Sequence, residues 1–211
     1  MGKNLLIFGG KSTAIEIAEV VKDFYLKEID KVIFVIGDNE IKNNENQIFD
    51  SEIHKYFSQK KCNYIISFSS HSLRVKIENL MNEHKISPVN IIHPNAIISK
   101  TATLGGGNYI AGNTVVSANA TIGNHNILNF NATIGHDTQI ENHVIINSGA
   151  RISGNVMVGS RVLIGANSFI FQGKKIGDDT LIDAMTYIDR DIDKKMICSS
   201  KQLNVFKRVI F

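Results

Sequence analysis

Stepping by six from Ile98, the sequence reads Ile98, Leu104, Ile110, Val116, Ile122, Leu128, Ile134, Ile140, Ile146, Ile152, Val158, Ile164, Ile170, Ile176, Ile182 and Ile188. Every position is Ile, Val or Leu, without insertion or slip. A helical period of 3.6 cannot stay in register with such a series. Two residues before most anchors stands a small residue, as at Ala96, Ala102, Thr114, Ala120, Ala132, Thr138, Ala150 and Ser168. One residue after come Gly105, Gly123, Gly135, Gly159, Gly165 and Gly177. This is the hexapeptide period of a parallel β-helix. Anchor and small residue both point into a triangular prism, since they are two apart on a strand. Gly and Asn are expected to turn the corners, because they tolerate positive φ. Three hexads close one coil of 18 residues, so residues 18 apart stack at about 4.8 Å.

Residues 1–94 have another texture. "NLLIFGG" reads as a buried strand ending in glycines, followed by a helix in "TAIEIAEVVKDFYLKE" with Ile15, Ala18, Val21 and Tyr25 on its packed face. "KVIFVIGDN" and "CNYIISFSS" read as further strands, "SLRVKIENLMNEH" as a second helix and "PVNIIHP" as a fourth strand. Alternating β and α segments predict a small parallel, Rossmann-like sheet. Ligands bind such sheets at the carboxyl ends of the strands, which here carry Gly9, Gly10, Lys11, Asp38, Ser67, Ser69 and Ser70. "FGGKST" lacks the upstream glycine of a P-loop and is not GxGxxG. It reads as a turn that aims amides and a lysine at one negative group of a ligand. The predicted organisation is an α/β ligand-binding domain at 1–94, a β-helix at 95–191 and a tail at 192–211.

The balance of charge, 23 basic against 20 acidic residues, gives no support to a nucleic-acid or anionic-membrane partner. No apolar run approaches the roughly 18 residues of a membrane helix, and the run in "MGKNLLIFGG" is too short for a signal-peptide core. The two cysteines, Cys62 and Cys198, fit no metal spacing and are expected as reduced thiols of a cytoplasmic protein. His125 and His143 are one coil apart and should stack. No third ligand is evident beside them, so packing is expected rather than a metal.

"ATIGHDTQIENH", residues 132–143, holds the only adjacent His-Asp pair, His136 and Asp137. His136 stands two after an anchor and should point outward. Neighbouring residues on a strand face opposite ways, so contact between the two is not assured; at a bent corner both can face the same groove.

A small β/α domain followed by uninterrupted hexads resembles the PglD/NeuD-type sugar acyltransferases. The resemblance rests on the Gly turn at 9–10, the strand ending at Asp38, "ISFSSHSLRVKI", and above all "TIGHDTQIENHVIINSGARISGNVMVGSRVLIGANSFI". It implies a left-handed β-helix and a homotrimer with active sites between neighbouring prisms. The implied reaction transfers an acyl group, acetyl in the first instance, from acyl-coenzyme A to the amine of a nucleotide-linked sugar. On that resemblance His136 is the general base and Asp137 its acidic neighbour. Gly154 supplies the amide facing the thioester carbonyl. Gly9, Gly10, Lys11, Asp38 and Ser69 hold the nucleotide-sugar, while Gly154, Gly165, Ala166 and Lys174 hold the coenzyme, with no metal. O-acetylation of a sugar or sialic acid hydroxyl, and a non-catalytic nucleotide-sugar scaffold, are the competing functions. The first turn here is "GGKST" without the family's histidine, a second family histidine is replaced by Ile145, and the C-terminal end is atypical.

Overall fold

The structure, a computed structural model, describes residues 3–57 and 62–200. Its first part comprises β1 (Lys3–Phe8), α1 (Thr13–Phe24), β2 (Ile29–Ile36), β3 (Gln47–Phe49), α2 (His54–Phe57), β4 (Cys62–Ile66), α3 (His71–Glu83) and β5 (Ser87–Pro88). The strands form one parallel sheet in the order β3-β2-β1-β4-β5. Strand alternation sorts its two faces. Leu5, Ile7 and Ile65 pack under Ala14, Ile17 and Val21 of α1, whereas Leu6, Phe8, Tyr64 and Ile66 pack under Ile77 and Met81 of α3.

Two expectations for this first part need correction. Ile15 is half exposed, because the packed stripe of α1 runs through Ala14, Ile17, Ala18, Val21 and Tyr25, one position round the helix. "PVNIIHP" is not one strand. Ser87–Pro88 pairs with β4 and closes the sheet, while Ile91–Ile92 pairs with Tyr109–Ile110 and begins the first coil. The short β3 lies in a polar stretch that shows no strand pattern; Gln47 is buried there and its side chain accepts the amides of Asn43 and Asn44.

The hexads form a parallel β-helix. Two-residue strands stack into three faces, the first from Ile91–Ile92, the second from Ile97–Ile98 and the third from Thr103–Leu104. Register is 18 residues throughout, as in Val115↔Thr133↔Arg151, until the last coil, which is two residues shorter: Leu181 pairs with Ile197 and Ile176 with Ile192. Pairing thus continues into the segment expected as a tail, whose residues 201–211 lie outside the described ones. The anchors form a single apolar core. Inside it, hydroxyls of Thr114, Thr138 and Ser168 donate to carbonyls of Asn129, Ser153 and Asp183. Asn90, Asn108 and Asn126 build a ladder in which each side-chain oxygen accepts the amide of the residue 18 ahead.

The corner-turning position is three after the anchor, not one. Asn113, Asn119, His125, Asn131, Asp137, His143, Asn155 and Arg161 all stand at φ between 57 and 59°. The glycines one after an anchor are required for a different reason. A Cβ on Gly135 would collide with the backbone of Ser153 and Gly154 in the next coil.

The first face is covered by the α/β domain, with Tyr109, Ile127 and Ile145 buried against the α1 side of the sheet. Arg74, fully buried, donates to the carbonyls of Ile66, Phe68 and His125. Glu78 accepts from His143 Nε2 at 2.7 Å and stands 3.4 Å from His125 Nε2, whose ring also meets Tyr64 Oη. The two rings stack, as the spacing predicts, with centroids 5.2 Å apart.

This cluster makes stability pH-dependent. Burial pushes His125 down to about 4, against an opposing pull from Glu78, and burial likewise lowers His143. The unfolded chain, with histidines near 6.5, therefore binds more protons than the folded one below that pH. The stabilisation is complete above about pH 6.5 and is lost as pH falls towards 4, by up to about 1.4 kcal/mol per unit for His125, with His143 acting in the same direction. Thermal unfolding should show Tm falling from pH 7 to 5. The fall should flatten in His125→Asn, which suits the left-handed corner. A flat wild-type profile would contradict this account.

Candidate active site

Among the described residues two places are candidates for a site, and they lie on different sides of the chain. The first is a cavity of about 860 Å³ above the carboxyl ends of β1, β2 and β4, lined among others by Gly9, Gly10, Lys11, Asp50, Ser69 and Lys76. Gly9, at φ 122°, has no room for a Cβ against Ser67 Oγ, and one on Gly10 would come within 2.7 Å of Ile36. The glycines thus let the turn close over the strand ends while leaving backbone facing the cavity. Lys11 pairs with Glu40 at 3.4 Å and is largely exposed. Asp38 does not line the cavity. Its carboxylate accepts the Ser51 amide at 3.2 Å and pairs with Asp50, and it is Asp50 and Ser51 that reach the cavity wall. The carboxyl pair splits. Desolvation and the neighbouring Asp38 push Asp50 up, while the hydrogen bond from Asp50 holds Asp38 down.

The second place is the corner between the second and third faces. His136 and Asp137 follow the anchor Ile134, and Asp137 occupies the left-handed corner position at φ 57°. That turn swings its side chain back beside His136, so the pair meets although a straight strand would part them. His136 Nδ1 lies 2.8 Å from Asp137 Oδ2. A carboxylate only accepts, so Nδ1 carries the proton and Nε2 is left as the base. The other carboxylate oxygen accepts Asn119 Nδ2 at 3.0 Å. Asp137 is held below the usual carboxylate range first by the His136 ring, then by Asn119. One coil on, Gly154 lies against the imidazole: a Cβ there would stand 2.5 Å from Nε2. The glycine is needed for room, not for φ. Its amide donates to no acceptor among the described residues.

The remaining expected residues divide between two corners. Lys174, half buried, stands just before the third-face strand Lys175–Ile176, one coil beyond the corner of Gly154. Gly165 and Ala166 lie at the opposite edge of the second face, where Gly165 is packed against the next coil at Asp183 and Ala184. One chain therefore brings His136, Asp137 and Gly154 together and keeps Gly165 and Ala166 apart from them. Asn119, Asp50 and Lys76 were not singled out by the sequence. Asn119 alone carried a signal, being 18 residues before Asp137. Among the described residues no helix is long and apolar enough to cross a membrane.

A family model described as bacterial transferase hexapeptide (six repeats) matches residues 137–172. No curated protein matches the sequence. Among solved structures, a histidine-to-asparagine variant of perosamine N-acetyltransferase from Caulobacter crescentus, with CoA and GDP-perosamine, is 23% identical, with 92% of each chain covered and a TM-score of 0.84. The acetyltransferase domain of PglB from Neisseria gonorrhoeae with acetyl coenzyme A is 23% identical over 93% of this chain and 96% of that one, TM-score 0.84. WeeI from Acinetobacter baumannii is 16% identical over 92% and 95%, TM-score 0.84. The chain thus has the fold of these proteins, a small α/β domain followed by a left-handed parallel β-helix, and its residues 137–172 are hexapeptide repeats of the bacterial transferase kind.

Proposed function

We propose that the chain is an acyl-CoA-dependent N-acyltransferase, using acetyl-CoA in the first instance, that acts on the amine of a nucleotide-linked amino sugar in the cytoplasm, for glycan or surface polysaccharide synthesis. The observation that carries this reading is the His136–Asp137 pair with Gly154 against its free nitrogen. An amine attacking a thioester must lose a proton as the tetrahedral intermediate forms. Nε2 of His136 takes it, while Asp137 holds the ring in the right tautomer and balances the imidazolium. The Gly154 amide donates to the oxyanion. Collapse of the intermediate releases the coenzyme thiolate, which takes the proton back from His136.

The nucleotide-sugar occupies the large cavity, with the Gly10 amide, Lys11 and Ser69 facing its phosphates, Gly9 shaping the turn while its own amide donates to the Val35 carbonyl, and Asp50, supported by Asp38, facing its nucleoside. The coenzyme runs past Gly154 and Lys174, and past Gly165 and Ala166 of a neighbouring copy. Two facts support shared sites in a homotrimer. The cavity sits in the domain over the first face, whereas His136 is on the corner that this face does not touch. The second face and its edges expose Phe130, Phe171, Met185 and Tyr187, with Phe169 and Tyr187 stacked. The fold relatives crystallised with CoA and GDP-perosamine, and with acetyl coenzyme A, agree with both ligands.

The test is thiol release from acetyl-CoA against a panel of UDP-, dTDP-, GDP- and CMP-linked sugars, with the acylated atom identified by mass spectrometry. Turnover with an amino sugar and an amide product is the expected result. An ester product would replace the reading by O-acetylation, and binding without turnover across amino and hydroxyl sugars would leave a scaffold.

A further inference from the structure

We propose that Asn119 is a positioning residue of the acyl-transfer site, fixing Asp137 so that it in turn fixes His136. The inference rests on the function proposed above and adds a residue from a different coil to it.

Asn119 stands one coil before Asp137 on the same corner, and both take the left-handed conformation, at φ 59° and 57°. Its Nδ2 donates to Asp137 Oδ1 at 3.0 Å, while Oδ2 receives His136 Nδ1 at 2.8 Å. Both carboxylate oxygens are therefore engaged, one by each partner. Asn119 is itself anchored: its backbone amide donates to Thr101 Oγ1 at 3.0 Å, and Thr101 Oγ1 lies 3.1 Å from Ser99 Oγ. The line of bonds runs from Ser99 through Thr101, Asn119 and Asp137 to His136.

The arrangement matters because the pair is open to water, with His136 55% and Asp137 46% exposed. A carboxylate in that setting with one unheld oxygen rotates and hydrates, and the imidazole bonded to it loses its fixed tautomer. A fixed donor on the far oxygen prevents the rotation. The contrast with another corner sharpens the point. There Asn129 donates to Asn147 in a plain amide ladder; among the described residues, only at the His136 corner does the ladder end on a carboxylate that touches an imidazole.

Asn119→Gly tests this, since glycine keeps the left-handed corner and removes only the amide. It should assemble like the wild type and keep KM for both substrates within about twofold, while kcat falls roughly tenfold. Nitrogen NMR of the ring in full-length protein with labelled histidine should show the Nδ1-protonated tautomer of His136 in the wild type and a mixture in the variant. Asn119→Asp, which sets a second carboxylate against Asp137, should lower kcat further. His136→Asn is measured alongside. If it is fully active, the proposed function loses its base whatever Asn119 does. If it is crippled while Asn119→Gly keeps wild-type kcat or an unchanged tautomer, the positioning role alone is overturned. A kcat loss that only follows a lower Tm or broken assembly would also overturn it, leaving a structural ladder.

Discussion

His136→Asn should leave a folded, assembled protein whose turnover is lower by about 10²–10⁴. The position explains why so large a loss can come without unfolding. The ring projects outward and is 55% exposed, and its chief protein contact is the hydrogen bond to Asp137. Asn is close to the imidazole in size at Nδ1 and can still donate to Asp137, so the corner keeps its conformation while the base at the Nε2 position is gone. Coenzyme affinity, read by calorimetry, should survive, because in the proposed mechanism the lost nitrogen acts on the incoming amine. Asp137→Asn should cost less, since it removes charge balance and tautomer control but leaves the base; it also keeps a residue that tolerates φ of 57°. A well-folded His136→Asn protein of full activity would reduce the pair to two polar residues on a solvated corner.

Much of this site was legible because a β-helix converts sequence distance into space by a fixed rule. Eighteen residues bring His136 beside Gly154 and His125 over His143, and no long loop intervenes to blur the count. The rule is weaker on what happens within a corner. Strand alternation alone sends His136 and Asp137 apart, and only the left-handed residue three after the anchor reverses Asp137. The sequence suggested glycine one after the anchor as the turning residue, because glycine marks turns. In the structure that glycine answers to the close approach of the next coil, and Asn, His and Asp do the turning. The α/β domain follows no such counting rule. The loop after β2 returns through β3 in a polar stretch, so that Asp50 reaches the cavity and Asp38, the residue at the strand end, stands next to it instead. "PVNIIHP" looked like one strand because both of its halves are strands. That they belong to different sheets depends on Asn90, whose side chain joins the asparagine ladder of the prism.

Mixing two inactive chains should restore activity. The cavity lies in the domain that covers the first face, and His136 stands at the corner between the other two faces, so on the proposed function a sugar held by one chain meets the base of its neighbour. Leu73→Trp would obstruct the cavity. Leu73 lines it and is 43% exposed, so the larger ring enters open space without disturbing the core. Alone, this chain should turn over nucleotide-sugar very slowly at ordinary concentrations, and His136→Asn alone should be slower than wild type by the factor given above. In a mixed assembly a site with an open cavity from one chain and an intact His136 from its neighbour contains no defect. If chains mix freely in equal amounts and each site takes its cavity and its base from different chains, half of the cavities are open and half of the bases intact. About a quarter of the sites are then whole. Unfolding the two chains together and refolding them, or producing them together, should therefore return about a quarter of wild-type activity, a gain of well over tenfold on either parent. Simple mixing of preassembled proteins should return little until subunits exchange. Sedimentation and circular dichroism on each parent would establish that both fold and assemble. No recovery in a verified mixed assembly would mean that cavity and base belong to the same chain, and the shared site would have to be abandoned.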